Sequence, residues 1–416
     1  MKKKLFEIGG LLLIFVLFTN IIIPWIICLV DKQEDVAEYY NYSEVFFDEY
    51  EEVRAHLVDT VEILKTQGYE VEFYSQPVAA EEDLFIDNIY IPSTGEQTNL
   101  IVLTTGVHGI EGYIGSVMLD VFWSEVYPDI NKENTGVLVV ANVNPYGMKY
   151  HRRYNENNVD LNRNFILDWE SFDTTVNQDY PKVDTFLGPK ESMGIITWHE
   201  LSFYGSLIKE VIEDGADVIS NALLGGQYEA AEGVYYGGNG DEASTTYLKS
   251  VFKQTLESEY ENIVHIDVHS GYGPRYNMVI FNSVFDTTTE AESVALFNYN
   301  NVIAIDSESF YPTTGDTTDY YYRLNESMGS DTSLYSTCFE FGTIGDSFID
   351  SIVSMKYTIE ENQNHWYPTK NNTTNEIIKE RYQELFYPTE KEWREKTVTD
   401  FALACKGVLA AKLIAE

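Results

Sequence analysis

Basic residues are scarce in this chain. Against 67 aspartates and glutamates its 416 residues include only 27 lysines and arginines, a formal net charge of −40. Binding to a phosphate backbone needs a basic footprint, so nucleic acid is excluded as a partner. The acidic residues are spread along the chain rather than gathered in a tail, which makes a strongly hydrated surface. An anionic substrate would have to be caught by a local arginine cluster working against that field. Cysteine is nearly absent: Cys28, Cys338 and Cys405 give no disulfide framework and leave the compartment open. Proline is also sparse, at 11 residues, while 44% of the chain is hydrophobic and 14% aromatic, a composition of folded rather than disordered chains. No internal repeat and no clear linker divides the sequence.

What is present begins with Met1-Lys2-Lys3-Lys4, followed over residues 8–30 by a run without a charged side chain. As a helix that run spans a hydrocarbon core of about 30 Å. The flanking lysines keep the N-terminal end cytoplasmic and put the acidic body outside. A cleaved signal peptide is the competing reading, but it usually has a shorter apolar region ending in small residues, and here the exit is Trp25-Ile26-Ile27-Cys28-Leu29-Val30. The expectation is a single-pass signal anchor over residues 1–31, with the rest of the chain extracytoplasmic.

Residues 34–68 carry apolar side chains at helical spacing, among them Tyr50, Val53, Leu57, Val61 and Leu64, and form a helical entry segment over residues 32–69. Residues 69–74 and 84–91 alternate like strands. Residues 100–103 and 136–140 are short continuous apolar runs, the pattern of strands covered on both faces, with a helical stretch over 114–126 between them. Residues 262–269 read as a central strand and 338–342 as a shorter one. Residues 206–224, 242–258 and 393–414 read as helices, and 168–198 as loop. These elements predict an α/β fold, a mixed, mostly parallel central sheet flanked by helices, with one catalytic domain over residues 70–416.

Chemistry concentrates at strand ends. Just past the apolar run 100–103 comes Thr104-Thr105-Gly106-Val107-His108-Gly109-Ile110-Glu111. An imidazole and a carboxylate three residues apart are ligand types and a spacing that suit zinc. A hydrolytic zinc site needs three protein ligands and an open fourth position. His269 fits the third: it ends the strand 262–269 and precedes the turn Ser270-Gly271-Tyr272-Gly273. His265 competes from the same strand face, but lies on the order of 13 Å from His269, too far to share one ion. Sites in open α/β sheets gather at the carboxyl ends of the strands, which favours His269.

Four segments in order, His108-x-x-Glu111, Asp160-Leu161-Asn162-Arg163-Asn164-Phe165, His269-Ser270-Gly271-Tyr272 and Phe339-Glu340-Phe341-Gly342-Thr343, resemble the zinc carboxypeptidases of the carboxypeptidase A type, closest to a bacterial branch. The resemblance covers about residues 70–350. It implies that Zn2+ is bound by His108, Glu111 and His269, with Asp160 orienting His108. Glu340 would be the general base, and Arg153, with Arg152 as its competitor, would stabilise the oxyanion. Asn162 and Arg163 would hold the terminal carboxylate of the substrate. Tyr311, in Tyr311-Pro312-Thr313-Thr314-Gly315-Asp316, resembles the mobile tyrosine of the family. Thr318 falls where the family sets side-chain preference and, being neither basic, acidic nor bulky apolar, does not let the specificity be read.

The expected function is a membrane-anchored, extracytoplasmic metallocarboxypeptidase that hydrolyses a C-terminal peptide or cell-wall peptide bond. The alternative is a zinc-dependent deacylase of N-acyl amino acids. A non-catalytic surface binding protein would require a substituted ligand or base, and none of the matched positions is substituted.

Overall fold

The computed structural model describes residues 42–79, 83–304 and 314–414. Residues Glu44–Glu416 make up one compact unit, to which the sheet, the helices and the site belong. Its centre is an eight-stranded sheet: β1 (Glu72–Ala79), β2 (Leu84–Ile91), β3 (Asn99–Thr105), β4 (Thr135–Ala141), β5 (Asn262–Ser270), β6 (Met278–Asn282), β7 (Val302–Ala304) and β8 (Ser333–Phe341). The spatial order is β1-β2-β4-β3-β5-β8-β6-β7. The four middle strands β4, β3, β5 and β8 run parallel, and antiparallel pairings join β2 to β4 and β6 to β8. All seven residues of β3 and all nine of β5 are buried, as expected for strands covered on both faces.

Among the described residues twelve helices surround the sheet: α1 (Tyr50–Thr66), α2 (Gly112–Val121), α3 (Pro145–Lys149), α4 (Tyr180–Leu187), α5 (Ile196–Glu213), α6 (Ala216–Leu224), α7 (Ala243–Leu256), α8 (Glu290–Phe297), α9 (Thr317–Met328), α10 (Phe348–Trp366), α11 (Asn372–Phe386) and α12 (Lys391–Lys412). Strand side chains alternate between faces. Leu100 and Val102 of β3 therefore pack with Leu248, Phe252, Tyr321 and Leu324 of α7 and α9. On the opposite face Phe339 of β8 meets Phe401 of α12. Near the sheet edge α1 is pinned by Arg54, which grips the buried Asp87 of β2 through two hydrogen bonds of 2.7 and 2.9 Å.

Several boundaries differ from expectation. The stretch 168–198 holds α4 and the start of α5, and the helix expected over 206–224 is two, broken where Gly215 takes φ of 100° before α6. Expected helix 114–126 begins at Gly112 and its last five residues widen into a π-turn. Among the described residues no helix is long and apolar enough to cross a membrane. Even the longest, α12 at 22 residues, carries charged side chains along its length. The expected signal anchor, residues 8–30, lies outside the described residues. The expectation of a membrane-anchored, extracytoplasmic protein is corrected on the finding that no helix among the described residues is long and apolar enough to cross a membrane.

Candidate metal centre

The site forms where β3, β5 and β8 end. After β3 the chain turns at Gly106 and passes through a short 3-10 turn, Gly109–Glu111, into α2. Gly109 lies so close to α3 that a Cβ there would stand 2.1 Å from the carbonyl carbon of Gly147. Backbone bonds fix the loop further: Gly109 N–H donates to Arg153 O at 3.2 Å and Ile110 N–H to Arg152 O at 2.9 Å. The sequence spacing therefore turns His108 and Glu111 inward together, both nearly fully buried.

His269, on β5, meets them. Its Nδ1 lies 3.1 Å from His108 Nδ1 and 2.9 Å from Glu111 Oε2, and His108 Nδ1 lies 2.8 Å from Glu111 Oε1. Two donors on one tetrahedral zinc stand about 3.3 Å apart, so the three groups fit one ion with small adjustment. The opposite ring nitrogens face aspartates. His269 Nε2 donates to Asp267 Oδ2 at 2.9 Å. His108 Nε2 lies 3.1 Å from Asp160 Oδ1, within ion-pair range but not aligned as a hydrogen bond. As neutral rings with their protons on those outer nitrogens, the two histidines would leave both Nδ1 atoms bare. Two bare nitrogens beside a carboxylate repel one another unless a cation joins them, and this donor set suits zinc. Burial pushes Glu111 up, yet where a proton takes the place of that cation and the rings are charged, their attraction and hydrogen bonds hold it down at about 2.

Glu340 lies directly across from His269 in the β5–β8 register. Its Oε1 accepts from Tyr272 N–H at 2.9 Å. Burial, joined by repulsion from Glu111, pushes its carboxyl up to about 8, against the pull of His269 and Arg153. Arg153 donates from Nε to Asp160 Oδ2 at 2.9 Å, and its other arm lies 3.6 Å from Glu111. The ring of Tyr235, 5.3 Å away, covers the guanidinium. Arg152 points elsewhere: it is buried and bonded to Glu361 at 2.7 Å and to Asn158 at 2.9 Å.

Asp160 also accepts from Asn162 N–H at 3.0 Å, which ties the Asp160-Leu161-Asn162-Arg163 turn to His108. Asn162 Oδ1 accepts from Thr317 N–H at 2.9 Å at the start of α9, leaving its amide nitrogen as the donor end. Arg163 is buried, and one arm donates to Asn162 O at 2.8 Å. Asp316 caps α9, accepting from Asp319 N–H at 3.0 Å, and the Thr318 hydroxyl donates to the same carboxylate at 2.7 Å. Tyr311 lies outside the described residues. Sequence reasoning missed Asp267. Its signal was a lone carboxylate inside the apolar strand, two residues before His269 and so on the same face.

The profile of the family DUF2817, described as a protein of unknown function, matches residues 46–400. The chain belongs to that family. No curated protein matches it in sequence. Among solved structures, this DUF2817 chain is similar to bovine thrombin-activatable fibrinolysis inhibitor, at 16% identity over 82% of this chain and 98% of that one, with a TM-score of 0.43. It is similar to carboxypeptidase A from Helicoverpa armigera, at 15% identity over 81% and 73% of the two chains, with a TM-score of 0.42. It is also similar to a Shewanella amazonensis SB2B protein assigned to the succinylglutamate desuccinylase/aspartoacylase family, at 15% identity over 71% and 73%, with a TM-score of 0.35.

Proposed function

We propose that this chain is a zinc-dependent amide hydrolase that removes the C-terminal residue of a peptide. One observation carries the reading: His108 Nδ1, His269 Nδ1 and the Glu111 carboxylate converge within 3.1 Å of one another, with Glu340 across the strand pair from His269. Bound by these three residues, zinc supplies Lewis acidity toward water and toward a carbonyl oxygen. Glu340 takes a proton from the attacking water and returns it to the departing amine as the C–N bond breaks. Burial pushes the Glu340 carboxyl above the ordinary carboxylate range, while Arg153 and a bound cation would draw it back down, toward the range in which one group can both take and return a proton near neutral pH. Arg153 steadies the negative charge that develops on the carbonyl oxygen. The Asn162 amide and the Arg163 guanidinium hold the substrate's terminal carboxylate, answering the need for a local positive site on a chain of net charge −40.

The test is a peptide-library digest read by mass spectrometry, with purified full chain, with and without chelator, alongside zinc titration of the metal-stripped protein. Expected are one tightly bound zinc and loss of single C-terminal residues that the chelator abolishes. A chain that binds no zinc, or whose trimming ignores the chelator, overturns the proposal. Cleavage of N-acyl amino acids with no peptide trimming replaces it with the deacylase reading.

A further inference from the structure

Beneath His269 lies a run of buried polar side chains that the hydrolytic reading does not use. Thr104 on β3, His265 and Asp267 on β5 and Ser336 on β8 share the sheet face under α7 and α9, and none has any solvent exposure. The neighbouring side chains are apolar: the His265 ring is boxed by Phe252 and Tyr321, with centroids 5.2 and 5.4 Å away. Four polar groups in such a place demand partners, and here each finds them in a single direction.

That direction follows from proton counting. Ionised Asp267 can only accept. Thr104 Oγ1 therefore donates to Asp267 Oδ1 at 2.6 Å, and the Thr317 hydroxyl donates to Oδ2. His269 supplies the third bond from Nε2, at 2.9 Å. With its one proton engaged, the Thr104 hydroxyl must accept at its 2.8 Å contact with His265, so His265 carries hydrogen on Nε2. His265 Nδ1 is then bare and accepts from the Ser336 hydroxyl at 2.8 Å. A neutral ring is what this place allows, since burial pushes its imidazole down to about 4. The chain thus runs from Ser336 to His265 to Thr104 to Asp267, where it meets the proton of His269.

We infer that this buried chain positions the metal site: Asp267, oriented by Thr104 and Thr317 and backed by His265 and Ser336, fixes the His269 tautomer and sets zinc affinity. The inference rests on the zinc reading proposed above. His265, the rival ligand on sequence grounds, is on this account a supporting residue two hydrogen bonds from Asp267. A merely structural role for the chain would alter stability without altering which nitrogen of His269 is bare.

The experiment is zinc affinity by competition with a chromophoric chelator, measured on the full chain, together with imidazole 15N NMR of the zinc-loaded protein. Asp267→Asn is expected to weaken zinc binding about 10- to 100-fold, the range usual for a carboxylate behind a metal-bound histidine. Ser336→Ala, at the far end, should weaken it less, and it serves if Asp267→Asn does not fold. The spectrum should show hydrogen on Nε2 of both His265 and His269. A wild-type chain that binds no zinc overturns the zinc reading and this inference together. A wild-type chain that binds zinc while the folded variants keep its affinity overturns this inference alone, as does hydrogen on Nδ1 of His265.

Discussion

Two clusters of buried charge lie in one fold and are built differently. Among α5, α10 and α11, Glu200 accepts from Lys356 at 3.2 Å and from Arg381 at 2.7 Å, and Arg381 also reaches to 3.5 Å from Glu360. Two acids there face two bases. Around His269 the carboxylates of Glu111, Asp160, Asp267 and Glu340 gather, with Arg153 in contact and Arg163 acting on Asp160 from farther off. The first cluster balances its own charge, although the buried Glu360 carboxylate makes no hydrogen bond within it. In the second, acids outnumber arginines, and the surplus is centred on three metal-type ligands. Buried charge alone is thus no marker of a site; an imbalance that a cation would correct is the informative feature.

The sharpest way to break this contrast is at Glu340. Glu340→Gln should lower turnover about 10²- to 10⁴-fold while the bound zinc stays at wild-type level. Steady-state kinetics and metal analysis on the same preparation would check both halves, and wild-type turnover would remove Glu340 from the mechanism. The helical cluster should respond in the opposite way. Lys356→Met leaves Glu200 and Glu360 short of a buried base and should cost about 3 to 5 kcal/mol of stability by urea unfolding, with zinc affinity of the folded protein unchanged. A change in zinc affinity would mean that the two clusters are not independent.

Next comes Arg153→Ala, expected to reduce turnover about 10²- to 10³-fold with a smaller change in KM. Arg152→Ala serves as its contrast, since that side chain is tied to Glu361 and Asn158 and should act on stability first. The smallest effect lies at the α1–α2 contact. The hydrogen bond from His56 to Asp120, 2.9 Å long, raises the His56 pKa above its ordinary value, with burial opposing. Its stabilisation is fully present below the unfolded-state pKa and is lost as pH rises through the folded-state pKa. Wild type should therefore exceed His56→Gln in stability by up to about 1 kcal/mol near pH 5.5 and by less near pH 8.5. A gap that widens at high pH would refute the assignment.

Much of this frame was legible in the chain. The runs at 100–103, 136–140 and 262–269 became β3, β4 and β5 because unbroken apolar segments of that length suit strands covered on both faces. The pair His108 and Glu111 stood out because it follows such a run. Other parts were hidden for physical reasons. Helix α10 buries Lys356, Thr358, Glu360, Asn362 and Gln363, so the apolar periodicity that betrays a helix is overwritten by polar groups satisfied in three dimensions. The role of Asp267 depends on Thr104 being its neighbour, which follows only from the pairing of β3 with β5 across 163 residues.

His108 and His269 lie 161 positions apart in the chain. At a synthesis rate of about 5 to 20 residues per second, roughly 10 to 30 s separate the emergence of the two imidazoles from the ribosome. Throughout that interval a nascent chain offers an ion only the His108 and Glu111 half of the proposed site. Insertion of β5 beside β3 is what brings the third donor into reach. Maturation of the proposed enzyme is therefore a late event, timed by completion of the sheet rather than by first exposure to the metal.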